Sequence, residues 1–433
     1  MKGILKMQKT NKILQTKFNI LKKNDKLNTS YPIKKQDWDK YSSTGEIVFN
    51  DKYVSLYIHI PFCETLCKFC EYIKFVKKDS NQEKEYVEAV IKDIEEFYEK
   101  YPNKILCGLD IGGGTPTALS EENFEHLLSS VKQIVDKYQK IDNFLPSIEA
   151  TFSTISEKKV KDIVKYGFKR VSFGLQTFDK RVLKKYNRNN GDIESILKTI
   201  RMCRRQGVEI INIDLMYGLE FINRSAIKAT MNVIKQIAPE HLTFYEFRTN
   251  ILGIKENYTK QQLYKQYKAL YKASQRCGYK GRFGQNTFSR LNDRGLSSYL
   301  ENRMLKFINY YGVGISAQSK GDNGLSYNYG KNHEKYPDCF ENGRIKKGDT
   351  YLLPEQELLS KFIAVSGYYG AINLNVCSQI IKQDFGQKYQ NEIEFLKHKK
   401  YINIQDGNMI ITKKGFEYYG AILGMFYKEE YVF

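Results

Sequence analysis

No apolar run in this 433-residue chain approaches the ~20 residues that cross a bilayer, so a soluble protein without a membrane span is expected. Residues 1–26 are lysine-rich, with no acidic residue before Asp25. Ile4, Leu5, Ile13, Leu14 and Phe18 interrupt them without building the apolar stretch of a secretory signal. The segment also favours lysine and asparagine over the arginine and serine of a transit peptide, and reads as a floppy or weakly helical basic arm. A disulfide framework is missing too. Outside one triplet the cysteines stand singly (Cys107, Cys203, Cys277, Cys339, Cys377), which excludes a stapled secreted scaffold and points to the reducing cytoplasm. Arginine-rich stripes and nucleic-acid motifs are absent, and the formal charge of +20 is carried by lysines spread along the whole chain. That distribution disfavours a nucleic-acid partner, although a basic surface still steers polyanionic ligands.

What is there is a concentrated set of thiols. Cys63, Cys67 and Cys70 lie within eight residues, with the aromatic Phe69 before the last, directly after the run 55–62. A cubane iron–sulfur centre ordinarily takes four thiolates. A loop offering three can hold a [4Fe–4S] cluster with one iron open, as catalytic metal sites keep an open position. That iron can chelate the amino and carboxylate groups of S-adenosylmethionine. The competing reading is a structural zinc site completed by His59 or a distant ligand; no second C-x2-C pair follows, as zinc knots usually require.

Strand-like runs at 53–60, 105–111, 147–151, 170–175, 208–215 and 241–247 alternate with helical stripes at 83–100, 121–138, 157–166, 192–206, 223–237 and 260–277. Six strand–helix units predict a parallel sheet wound as an open or partly closed barrel, with ligand groups at the carboxyl ends of its strands. Polar residues sit there. Gly112-Gly113-Gly114-Thr115 follows strand two, Glu149 ends strand three, Gln176 and then Arg188 follow strand four, and strand five carries Asp214. Together they offer the acceptors, donors and guanidinium that a sulfonium nucleotide with ribose hydroxyls and an α-carboxylate needs. Past residue 285 the repeat fails: Gly312–Ser319 is a glycine-punctuated apolar segment at the mouth of the site, and Asn323–Gly348 reads as a loop or linker. From Leu353 three helices, two short strands around Asp406-Gly407-Asn408 and a last helix from Lys414 suggest a winged-helix-like appendage acting as a lid or substrate wall. The expected divisions are a basic arm and linker (1–50), the barrel core (51–285), a glycine-containing segment and linker (286–345) and a C-terminal domain (346–433).

The stretch from Tyr57 to Cys70, Gly112–Thr117, Ser172–Phe178, Asn212–Gly218, Gly312–Ser319 and the terminal Ile410–Gly415 together resemble the oxygen-independent coproporphyrinogen III oxidase family of radical SAM enzymes. The likeness covers roughly residues 50–430. It implies a partial (β/α)6 TIM-type barrel with a small C-terminal domain, a [4Fe–4S] cluster on Cys63, Cys67 and Cys70, and one or two molecules of S-adenosylmethionine. By the same resemblance Tyr57, Phe69, Gly113, Gly114, Thr115, Glu149, Gln176, Arg188 and Asp214 contact the nucleotide, with Phe247 and Gln318 at further nucleotide-lining positions. It implies reductive cleavage of the nucleotide to a 5′-deoxyadenosyl radical, a tetrapyrrole substrate and an electron donor such as flavodoxin or ferredoxin. The segment Thr29–Pro32 resembles the oxidases as well, but two departures matter. Tyr72 stands where those oxidases carry a fourth cysteine, and the segment Tyr299–Met304 lacks the histidine and tryptophan of the heme-chaperone relatives. Chaperone, methyl-transfer and anaerobic heme-degrading activities of related members therefore stay beside oxidative decarboxylation as alternatives.

Overall fold

β-Branched and aromatic segments form the strands β1 (Tyr53–Ile60), β2 (Ile105–Gly113), β3 (Ser147–Ala150), β4 (Arg170–Gln176), β5 (Ile210–Tyr217) and β6 (His241–Glu246). The computed structural model describes all residues except 1, 24–30, 33–34, 221, 250–252, 254–257, 331–334 and 429–433. Strands β1 to β6 are all parallel, in sequence order, and a helix returns the chain after each. Several of these helices begin at a residue suited to satisfy free backbone N–H groups: Asp79, Ser120, Ser156, Asp192 and Asn223 each accept a bond from the first helical turn. Val54, Leu56, Ile58 and Ile60 on β1 are wholly buried, as expected for a parallel strand covered on both faces. The result is a partial TIM-type barrel, as the alternation predicts.

The sheet continues beyond both ends of that series. At one edge β7 (Thr287–Ser289) pairs antiparallel with β6. On the far side of β1 lie β8 (Asn309–Val313), parallel to β1, then the antiparallel strands β9 (Gln318–Lys320), β10 (Gly324–Asn328) and β11 (Lys347–Leu352). This corrects the reading of 286–345 as a glycine segment and linker and of 323–348 as a loop. The glycines there serve close strand contact: a Cβ on Gly312 would stand 2.2 Å from the Gln318 carbonyl oxygen, and one on Gly324 2.0 Å from that of Tyr351. The boundary expected at 345/346 accordingly falls just before a strand of the main sheet.

The C-terminal part is winged-helix-like. Helices Glu355–Tyr368, Leu374–Ile381 and Gln390–His398 pack with a three-stranded sheet of Ala371–Asn373, Asn408–Ile411 and Ile402–Gln405. Its hairpin turns on Asp406 and Gly407, both with positive φ (49° and 70°), the two-residue turn such pairs favour. The arm, expected to be floppy or weakly helical, is a docked helix, Lys2–Lys23. Leu14, Phe18 and Leu21 recur at helical spacing and are buried in the C-terminal core, where Phe18 stacks on Tyr401 at 5.3 Å. Of the Thr29–Pro32 motif, Thr29 and Ser30 lie outside the described residues; the Tyr31 hydroxyl donates to the buried Glu357 at 2.7 Å. No described helix is long and apolar enough to cross a membrane.

Candidate active site

The loop after β1 carries Cys63, Cys67 and Cys70 to the wall of one cavity of about 280 Å³. Cys63 and Cys67 are buried and Cys70 is partly so. The Cys63 Sγ lies 3.6 Å from Thr115 Oγ1, and Arg188 Nη1 donates to Cys67 Sγ at 3.7 Å. Burial pushes the Cys63 thiol up to about 11, so the free side chain is a neutral thiol, and metal binding would displace its proton. Among the described residues no three His, Cys, Asp or Glu side chains converge on a point that would hold a single metal ion. His59, the fourth ligand of the zinc reading, is otherwise engaged: its ring nitrogens lie 3.4 Å from the Tyr57 hydroxyl and 3.3 Å from the Ile73 carbonyl oxygen. The thiols border a space larger than one ion, which fits a multi-iron cluster better than zinc.

The strand ends bring most of the sequence-predicted residues to the same cavity: Phe69, Gly113, Gly114, Thr115, Glu149, Gln176, Arg188 and Asp214 all line it. Glu149 opens onto the cavity from deep within the fold and accepts from the Gly113 N–H at 3.2 Å. Burial, and then the neighbouring Asp214, push its carboxyl up to about 8. Asp214 is also raised by burial, although Ser172 Oγ (3.2 Å) and Asn212 Nδ2 (2.7 Å) donate to it. Gln176 ends β4 with φ +70°, a left-handed conformation that costs a non-glycine residue energy, and its Oε1 is buried with no hydrogen-bond partner. Arg188 is held by the Gly174 carbonyl and by Asn190 Oδ1 at 3.0 Å.

The glycines of 112–114 make room for neighbouring protein groups, and Gly113 and Gly114 also line the cavity. A Cβ on Gly112 would stand 2.7 Å from the Glu149 carboxyl carbon, one on Gly113 2.7 Å from the His59 ring and one on Gly114 2.8 Å from the Phe62 carbonyl oxygen. They let β2 close onto β1 and β3 and leave the Gly113 N–H free to orient Glu149.

Three predicted residues are not on the cavity wall. Tyr57 stacks on Tyr299 (5.6 Å, 22°). Phe247 is buried in a side cluster with Val182, Tyr186 and Leu219. Gln318 spends its amide on Tyr310 and Tyr327. Conversely, Tyr245, Glu246, Arg248 and Tyr368 line the cavity without having been singled out. Tyr368 ends the helix Glu355–Tyr368 and brings the C-terminal part to the cavity; nothing in its local sequence signals that placement.

Buried thiols facing a space too large for one ion, an orphaned Gln176 oxygen and two raised carboxyls fit a three-thiolate cluster with a cationic nucleotide beside it. Residues 57–234 match the family described as the radical SAM superfamily. The chain is 26% identical over 393 residues to the heme chaperone HemW of Buchnera aphidicola subsp. Schizaphis graminum, covering 86% of this chain and 98% of that one. It is 29% identical over 199 residues to the oxygen-independent coproporphyrinogen III oxidase of Escherichia coli, covering 46% and 43%. The solved structure of coproporphyrinogen III oxidase (HemN) from Escherichia coli superposes with a TM-score of 0.70 at 22% identity, covering 88% of this chain and 91% of that one. The cofactors of the superfamily are a [4Fe–4S] cluster and S-adenosylmethionine. Residues 57–234 thus match the radical SAM superfamily, while the chain as a whole is similar in sequence to HemW and in fold to HemN-type coproporphyrinogen oxidase.

Proposed function

We propose that the protein is an enzyme that reductively cleaves S-adenosylmethionine and acts on a tetrapyrrole, by oxidative decarboxylation of a porphyrinogen propionate to a vinyl group, in which one hydrogen atom is abstracted, CO2 leaves and the remaining electron passes to a one-electron acceptor such as an iron–sulfur or flavin protein. The observation that carries this reading is the meeting, on one cavity, of the cysteine triplet with Thr115, Glu149, Gln176, Arg188 and Asp214. When bound, cluster and nucleotide supply one-electron cleavage of a sulfonium and hydrogen-atom abstraction. The chain's own residues bind and orient. Cys63, Cys67 and Cys70 hold the cluster, and Arg188, beside Cys67, suits the nucleotide's carboxylate. Glu149 and Asp214 accept from its amino or hydroxyl groups, and a nearby cation draws Glu149 towards its ionised form. Tyr368 and Arg248 close the opposite side, and a flavodoxin or ferredoxin supplies the electron. Anaerobic reconstitution with iron, sulfide, reductant and coproporphyrinogen III should yield 5′-deoxyadenosine together with a vinyl-bearing product. Absence of 5′-deoxyadenosine would sink the enzymatic reading.

The likeness to HemW along nearly that protein's whole length favours a second reading, a heme carrier. Stoichiometric heme binding, followed by its Soret band and without consumption, would support the carrier over the oxidase.

A further inference from the structure

Among the described residues the cavity wall carries three cations, Lys74, Arg188 and Arg248. Two of them are tied to backbone and to the cysteine loop. Lys74 Nζ donates to the Cys70 carbonyl oxygen at 2.8 Å and to that of Tyr72 at 3.3 Å. Arg188 donates to the Gly174 carbonyl, to Asn190 Oδ1 at 3.0 Å and to Cys67 Sγ at 3.7 Å. Arg248 is held differently. It lies two residues past the end of β6, and its Nη2 donates to Glu71 Oε1. Glu71 is on the cavity wall as well, directly after Cys70. Both side chains are partly buried, at 29% and 23% exposure. Among the described residues the Glu71 side chain has no second hydrogen-bond or ion-pair partner.

An ion pair whose two members both face a ligand cavity is open to exchange. A guanidinium presents a flat fork of donors that matches any carboxylate, whether it comes from the chain or from a ligand. Exchanging one carboxylate for another keeps the charge-assisted bonds, and a partly exposed pair contributes little net stability to hold against it. A ligand reaching for Arg188 or Lys74 has instead to break contacts to fixed backbone carbonyls. Tyr368 shares with Arg248 both this wall and a small adjoining recess, and Tyr72 follows Glu71 on the wall, so aromatic side chains accompany the fork. We propose that Arg248 is the receptor for a carboxylate group of the substrate, and that Glu71 occupies the fork until the substrate displaces it. The inference rests on the cavity being the substrate site, as proposed above.

The test titrates coproporphyrin III, a stable porphyrin with four carboxylates, by its fluorescence into the full-length protein and into the variants Arg248→Gln and Glu71→Gln. The two substitutions should act in opposite directions. Arg248→Gln should weaken binding at least about tenfold, the loss of a charge-assisted contact. Glu71→Gln removes the internal competitor and should tighten binding about two- to fivefold, the scale of a partly exposed ion pair. Losses from both substitutions would show that the pair only braces the wall and would overturn the proposal. So would unchanged binding by a folded Arg248→Gln. Where Arg248→Gln fails to fold, Glu71→Gln decides: tightening supports the proposal, and no change or a loss overturns it. A second arm uses sodium propionate and its neutral isostere propionamide, followed by saturation-transfer NMR. Propionate should bind, more tightly to Glu71→Gln, and propionamide should not. Propionate obeying these signs while coproporphyrin III fails to bind would remove the tetrapyrrole reading and leave the carboxylate receptor standing. Equal binding of propionamide would overturn the receptor itself. Displacement of propionate by S-adenosylmethionine would assign Arg248 to the nucleotide and overturn the substrate assignment.

Discussion

The two sides of the cavity come from different kinds of sequence. One side is the row of strand ends from β1 to β5, where the residues sit on a strand or in the loop after it: Cys63 after Ile60, Thr115 after Gly113, Glu149 in β3, Gln176 at the end of β4 and Asp214 in β5. The other side brings Tyr245 and Arg248 from around the end of β6 together with Tyr368, more than a hundred residues later. A parallel barrel gathers its carboxyl ends by topology alone, so the first side follows from the order of elements. The second depends on how the C-terminal part docks, which no local pattern encodes. In the function proposed above, the strand-end side holds cluster and nucleotide and the docked side sets the substrate.

That division can be broken most severely at the thiols. Cys63→Ser should lower iron from about four per chain to below about one after reconstitution, with the circular-dichroism spectrum unchanged; full iron retention would undo the cluster assignment. Glu149→Gln comes next, weakening S-adenosylmethionine by about tenfold or more in calorimetry, the scale of one charged hydrogen bond. In the unsubstituted protein that affinity should rise as pH climbs towards about 8, where Glu149 ionises, and the Gln variant should lose this dependence. The stability sign is opposite. A carboxyl raised above its usual 4.5 binds its proton more tightly when folded, so stability without nucleotide falls as pH rises from 4.5 to about 8. Glu149→Gln should flatten that fall in thermal melts. Tyr368→Ala, on the docked side, should cost substrate affinity a few-fold and leave nucleotide affinity unchanged; equal losses of both would merge the two sides. Phe18→Ala should have the smallest effect at the site. It should destabilise the C-terminal core by about 3 kcal/mol with iron content intact, as read by denaturant unfolding beside iron analysis.

The barrel was legible because parallel strands buried on both faces read as apolar runs, and intervening helices carry clear caps and stripes. Strands β7 to β11 were not, because they are short, and the glycines that signal turns in composition here serve strand contact at Gly312 and Gly324. For the site, residue type and strand position sufficed for Glu149, Gln176, Arg188 and Asp214. Gln318 and Phe247, which came from the resemblance alone, lie off the cavity wall, their side chains turned to Tyr310, Tyr327 and Tyr186.

The most direct measurement is Mössbauer spectroscopy of the iron-57-reconstituted, oxygen-free protein before and after S-adenosylmethionine. The expected result is a [4Fe–4S] spectrum in which one iron site becomes distinct when the nucleotide is added. A single-iron spectrum, zinc in place of iron, or a cluster whose four irons ignore the nucleotide would contradict it.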